Sequence, residues 1–183
     1  MDLLIGMLLA FGLAMDAFAV SVVGGLTVRP LGIGDALRAP AFFGFFQGVM
    51  PVVGWLAGHK LENLVLGFGH WIAFGLLSAI GFKMIYESAG QKQNYLIDLL
   101  DARILLMLSI VTSIDALVAG LTISILGAPI LRHATMISVV TFLLSLFGVF
   151  VGNKLGFFLG DKTGVVGGVI LILVGFQTLV KHI

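Results

Sequence analysis

Two aspartates lie where a chain this apolar has reason to carry none. Asp16 stands in Met15-Asp16-Ala17-Phe18-Ala19 and Asp115 in Ser113-Ile114-Asp115-Ala116-Leu117, each near the middle of a long apolar run. An ionised Asp at mid-bilayer costs roughly 2.5–3.5 kcal/mol on insertion scales, so a pair of them points to a use. Two negative charges balance one divalent cation. Sites built from oxygen alone favour the harder ions, Mg²⁺, Ca²⁺ and Mn²⁺. The four histidines, His59, His70, His133 and His182, all fall at the ends of apolar runs, and cysteine is absent. Both facts argue against a Zn²⁺ or Cu²⁺ site. Two other chemistries stay open for the pair: a proton relay, in which mutual repulsion holds one proton between the carboxylates, and a ligand-free polar lock between helices.

Neutral oxygens fall at helical spacing around these acids. Thr112 is three residues before Asp115 and shares its face. Gln47 and Pro51 share one face, and Ser138, Thr141 and Ser145 share another. Pro51 has no N–H, so it can leave the carbonyl at Gln47 open. Singly, each of these side chains suits an ordinary helix–helix hydrogen bond. Grouped around two aspartates, they read as metal ligands or supports. Lys83 is the one basic residue inside an apolar run. It either snorkels toward the headgroups or serves as a counter-charge to the carboxylates when no cation is bound.

The elements that must hold these groups are membrane helices. Of 183 residues, 60% are hydrophobic and 10% charged, against about 25% charged in soluble domains. Hydropathy places six spans: about Leu3 to Leu26, Ala39 to Gly58, Trp71 to Tyr86, Ile104 to Leu126, Ala134 to Val151 and Gly164 to Val180. Backbone groups in lipid must be satisfied within the segment, so these are helices. The predicted fold class is an all-α membrane protein. Ala17-Phe18-Ala19 resembles a signal-peptide cleavage site, but no Lys or Arg precedes Arg29 and the apolar run continues past it. An uncleaved first span is therefore expected. No basic run suggests nucleic acid, and no GxxxxGK[ST] phosphate loop occurs. The chain reads as a non-enzyme with no cofactor and no ATPase of its own.

Basic residues orient the spans. Arg29, Arg38, Lys92, Arg103, Lys154 and Lys162 follow spans one, three and five, whereas Lys60, Arg132 and Lys181 lie on the other side. The richer side is expected in the cytoplasm, with both termini outside. The polar stretch 88–103 reads as a cytoplasmic linker, with an interfacial helix from Tyr95 onward. It separates 1–87 from 104–183, and these two parts repeat. Adding 94 maps Arg38 to Arg132, Gln47 to Thr141, Pro51 to Ser145, Gly54 to Gly148 and Gly81-Phe82 to Gly175-Phe176. Adding 99 maps Asp16-Ala17 to Asp115-Ala116. Three spans per repeat force the second to lie inverted, a recurrent transporter design with its site at the repeat interface. Lys83 maps to the neutral Gln177.

The chain resembles the MntP family of bacterial manganese efflux pumps, small six-span proteins in the broader lysine-exporter-like group. The likeness rests on the two Asp-Ala motifs, on Phe43-Gly44 through Pro51 and Gly54-Trp55, and on His70-Trp71-Ile72-Ala73-Phe74. It runs over nearly the whole chain, and it departs at Gln47, where some members carry Glu. The resemblance implies Mn²⁺ export across an inner membrane, with Asp16 and Asp115 the essential acids. The expected function is secondary export by alternating access, Mn²⁺ being substrate rather than cofactor, driven by an ion gradient or the membrane potential, with protons one candidate counter-ion. Gln47, Thr112 and Thr141 would complete the metal site, supported by Lys83, Ser145 and Pro51. An amino-acid exporter is the rival from the broader group; a proton-only relay and a non-transporting scaffold are the others.

Overall fold

The computed structural model describes residues 3–28, 32–57, 62–89, 101–125 and 129–180. They form α1 (Leu3–Thr27), α2 (Ile33–Ala57), α3 (Glu62–Ala89), α4 (Ala102–Thr112), α5 (Ile114–Ile125), α6 (Ile130–Leu159) and α7 (Thr163–Val180). A 3₁₀ turn, Gly160–Lys162, joins the last two helices. No strand occurs among the described residues. Gly6–Thr27, Ile33–Ala57, Ala102–Ser124 and Ile130–Leu159 are long and apolar enough to cross a bilayer. α3 and α7 add the shorter apolar stretches Phe74–Tyr86 and Thr163–Gln177. The chain is a multi-pass membrane protein.

Hydropathy placed the spans but trimmed several. α2 begins at Ile33 and runs unbroken through Pro40 and Pro51. α3 begins at Glu62, well before Trp71, and α6 runs past both edges of the apolar window. Polar residues such as Arg132, Asn153 and Lys154 lower a hydropathy average without breaking a helix. The expected linker is shorter at both ends, because α3 continues to Ala89 and α4 starts at Ala102, capped by the Asp101 carboxylate on the Arg103 N–H. The interfacial helix expected from Tyr95 lies outside the described residues.

The fourth span stands where hydropathy placed it, as Ala102–Ser124, but it is interrupted at Ser113, where α4 gives way to α5. No Gly or Pro causes the break. The Thr112 hydroxyl donates to the Leu108 carbonyl at 2.9 Å, and the Ser113 hydroxyl to the Ser109 carbonyl at 2.6 Å. Hydroxyls that back-bond in this way compete with the ladder and bend helices. Asp115 consequently sits in the first turn of α5 rather than mid-helix. The positive end of a helix dipole favours a carboxylate there.

Glycines set how closely the helices meet. A Cβ on Gly152 would overlap the Val22 carbonyl, and one on Gly148 would lie 2.8 Å from the Phe18 carbonyl. α1 and α6 therefore touch backbone to backbone, running parallel. On α2, a Cβ on Gly54 would overlap the Leu117 carbonyl, and one on Gly120 would overlap Pro51. Gln47 meets Thr112 and, further along both, Gly54 meets Leu117 and Leu121, so α2 runs parallel to the α4–α5 span. α2 crosses α6 antiparallel where the Ser138 hydroxyl donates to the Gly44 carbonyl at 2.8 Å. α3 packs antiparallel on α7 through Gly81 and Gly168. In lipid, such close van der Waals packing replaces the hydrophobic effect as the glue between helices. The helix directions alternate, so α1 begins and α7 ends on one face. We call it the terminal face, and the opposite one, where α3 ends and α4 begins, the linker face.

Candidate functional site

Gln47 lies at the centre. It sits on α2 and is fully buried. Its Nε2 donates to the Thr112 carbonyl at 3.0 Å and to the Leu13 carbonyl at 3.3 Å. Leu13 is one turn before Asp16 on α1. Thr112 is the last residue of α4, three before Asp115. One amide therefore ties together the two turns that lead into the two aspartates. The bond also fixes the amide's orientation, since the oxygen could not face two carbonyls. Gln47 Oε1 is left buried with no hydrogen-bond partner among the described residues.

The aspartates differ in setting. Asp16 is only 5% exposed, within the packed part of α1. Asp115 is half-buried, and its Oδ1 accepts the Ala116 N–H at 2.7 Å. Thr112 is buried, with its hydroxyl proton committed to Leu108 and the lone pairs of the oxygen still able to accept or ligate. Thr141 and Ser145 on α6 are fully buried, and neither hydroxyl has a partner among the described residues. Pro51 is buried against Gly120. The structure thus brings Gln47 and Thr112 into direct contact, and places Pro51, Thr141 and Ser145 in the same packed interior.

Lys83 is placed differently. Its neighbours Gly81 and Met84 face α7, where Met84 reaches the Gly167 position. Lys83 points off that face and is exposed. His133 is buried in the first turns of α6, its Nδ1 donating to the Pro129 carbonyl at 2.9 Å. No group of three or more His, Asp or Glu that could share a metal occurs among the described residues. A cation held here would rely on neutral oxygens to complete its shell.

Comparison with known proteins gives this arrangement a context. A family profile described as "Putative manganese efflux pump" matches residues 30–179. A protein of that same description, MntP of Gloeothece citriformis, is 46% identical over 100% of this chain and 97% of its own. The MntP of Rippkaea orientalis is 47% identical over 99% of this chain and 97% of its own. That of Methanosarcina mazei is 44% identical over 100% and 98%. The chain belongs to the MntP family. No solved structure matches it. MntP membership makes the chain a transporter rather than an enzyme.

Sequence reasoning missed several members of this interior. The carbonyls of Leu13 and Thr112 carry no side-chain signal, although these residues are equivalent under the offset of 99 that relates the two aspartates. Ser21 on α1 and Ser109 on α4 are also buried with unpartnered hydroxyls. Neither falls on the helical face of its aspartate, so spacing alone gave no reason to select them.

Proposed function

We propose that this chain is a secondary transporter that exports Mn²⁺ from the cytoplasm across the inner membrane. Asp16 and Asp115 supply the charge, and Gln47, Thr112 and Thr141 supply neutral oxygens. The observation that carries this reading is the Gln47 amide bridging the Leu13 and Thr112 carbonyls. It brings the turns before both acids to one buried point. A divalent ion there is neutralised by two carboxylates, and an all-oxygen shell suits a hard cation such as Mn²⁺. The names of the relatives specify manganese and the direction of transport.

The cycle follows from an inverted repeat, which we also propose. Several close contacts exchange under the sequence offsets. Gly54 against Leu117 corresponds to Gly148 against Phe18, and Gly81 against Gly168 corresponds to Gly175 against Phe74. The Ser138–Gly44 hydrogen bond joins residues that are equivalent to one another. An axis through this crossing relates two arrangements of similar energy, as alternating access requires. Mn²⁺ enters from one face, the repeats shift, and the ion leaves from the other. Protons serve as the counter-ion at the carboxylates. Lys83, exposed on α3, stands outside the buried group around Gln47, and the steps above run on the carboxylates and the neutral oxygens. The same position weakens the amino-acid-export alternative, which needs a cation within the buried site.

Purified protein titrated with Mn²⁺ tests the site. Asp16→Asn and Asp115→Asn should each weaken binding by at least roughly tenfold, about 1.4 kcal/mol, and abolish export from cells loaded with Mn²⁺. Both variants should still insert in the membrane. Normal binding and export by both would refute the two-carboxylate site.

A further inference from the structure

Two backbone carbonyls from different helices converge on one buried nitrogen. Gln47 Nε2 lies 3.0 Å from the Thr112 oxygen and 3.3 Å from the Leu13 oxygen. Leu13 is on α1 and Thr112 ends α4, and these two helices make few direct contacts with one another. The Gln47 side chain, reaching in from α2, joins them. Leu13 and Thr112 are equivalents under the offset of 99, so each half of the chain contributes the same backbone atom.

The break at Ser113 is what makes the Thr112 carbonyl available. In an unbroken helix it would accept the Ala116 N–H. That N–H donates to Asp115 Oδ1 at 2.7 Å instead, and α5 starts afresh at Ile114. The Thr112 oxygen is left with the Gln47 amide as its partner among the described residues. α1 is continuous through Leu13, so the carbonyl there meets the amide with its second lone pair. Unwound carbonyls and the C-terminal ends of half-helices are a recurrent way of holding a cation at mid-membrane. The amide NH₂ group, which offers only hydrogens, sits in a cradle of that kind.

The other end of the amide separates a cation site from a simple clamp. Gln47 Oε1 is buried and has no hydrogen-bond partner among the described residues. A buried amide kept only to tie helices together is expected to satisfy both its atoms. Half a turn about the Cγ–Cδ bond exchanges the nitrogen and the oxygen. The oxygen cannot face two carbonyls directly, since all three are acceptors. It can face them across a positive ion.

We infer that the Leu13 and Thr112 carbonyls are ligands of the transported divalent cation, and that the Gln47 amide nitrogen competes with the ion for them, the amide turning over to offer Oε1 when the ion binds. The inference rests on the proposed two-carboxylate site and extends its set of ligands. A hard divalent ion holds its oxygens at about 2.0–2.6 Å, closer than an amide nitrogen does. Loading therefore draws the two carbonyls inward by roughly 0.5–1 Å each, and α1 toward α4 with them. The added oxygens are neutral, so the charge balance between the ion and the two aspartates is unchanged.

Electron–nuclear double resonance on the Mn²⁺-bound protein tests this, because a carbon-13 nucleus next to a ligating oxygen couples to the Mn²⁺ electron spin. Protein made with leucine carrying carbon-13 at the backbone carbonyl should show such a coupling. So should protein made with threonine labelled in the same place, and protein made with glutamine labelled at its side-chain carbonyl. Leu13→Ile and Thr112→Val keep the backbone oxygens. They should move the first two signals to labelled isoleucine and labelled valine, which separates the Thr112 carbonyl from its hydroxyl. Aspartate labelled at its carboxyl reads the acids independently. Coupling from aspartate with none from leucine or threonine, or from only one of them, would overturn the carbonyl pair and leave the two-carboxylate site standing. Absence of the glutamine signal would overturn the turning of the amide. No coupling from any label, aspartate included, would bring down the two-carboxylate reading and this inference with it.

Discussion

A single side-chain nitrogen holds the centre of this protein together. Gln47 donates to carbonyls on α1 and α4 from a fully buried position on α2. Removing that donor leaves two buried carbonyls short of a partner, at a cost of about 1–3 kcal/mol. Gln47→Leu is therefore expected to lower the melting temperature in detergent and to lose Mn²⁺ transport. Gln47→Glu gives a sharper result. A carboxyl at that position can donate to one of the carbonyls only while it carries a proton. Transport by this variant should gain a pH dependence beyond that of the native carboxylates, with activity rising toward acid. Sequence reasoning selected Gln47, Thr141 and Ser145 because polar side chains stand out in apolar helices. It could not see the Leu13 carbonyl, because a backbone oxygen leaves no mark on residue type.

Between helices, glycine positions decide what can change. A Cβ on Gly120 would overlap the Pro51 backbone, whereas one on Gly12 meets nothing within 4 Å. Gly120→Ala must push α5 off α2 and should cost about 1–3 kcal/mol, as overpacking does. Gly12→Ala should be tolerated, and could stabilise by up to about 1 kcal/mol through helix propensity. Comparing the two melting temperatures checks both statements. Glycine spacing made these seams legible in the sequence, but not which helix faced which. The break at Ser113 was not legible at all. Its cause is a local contest between hydroxyls and the backbone ladder, and Thr-Ser pairs occur in many unbroken helices. The lengths of α3 and α6 were missed for a related reason: hydropathy measures lipid compatibility, and a helix can continue beyond the lipid.

For the whole molecule, the alternation of helix directions places both ends of the chain on the same face. In and beside the connections after the first, third and fifth spans lie six basic residues, against three on the opposite side. The linker face is then expected in the cytoplasm. Reporter fusions at either terminus should both read as extracytoplasmic, while a reporter inserted between α3 and α4 reads as cytoplasmic. Opposite readings from the two termini would contradict the six crossings. The proposed repeat rests in the sequence on the glycine and Asp-Ala matches. Which hydroxyls stay buried without a partner was not legible there, because burial and hydrogen bonding decide it.

The tight seams have one more implication. α1 lies on α6, α2 on α5 and α6, and α3 on α7, so among the described residues the intimate contacts join a helix from before the linker to one from after it. Within either fragment alone, the described neighbours scarcely touch. A gene cut at the linker should yield two pieces that are each degraded when made singly, yet survive when made together. In the proposed cycle, the units that shift would be interleaved pairs of helices rather than successive stretches of chain.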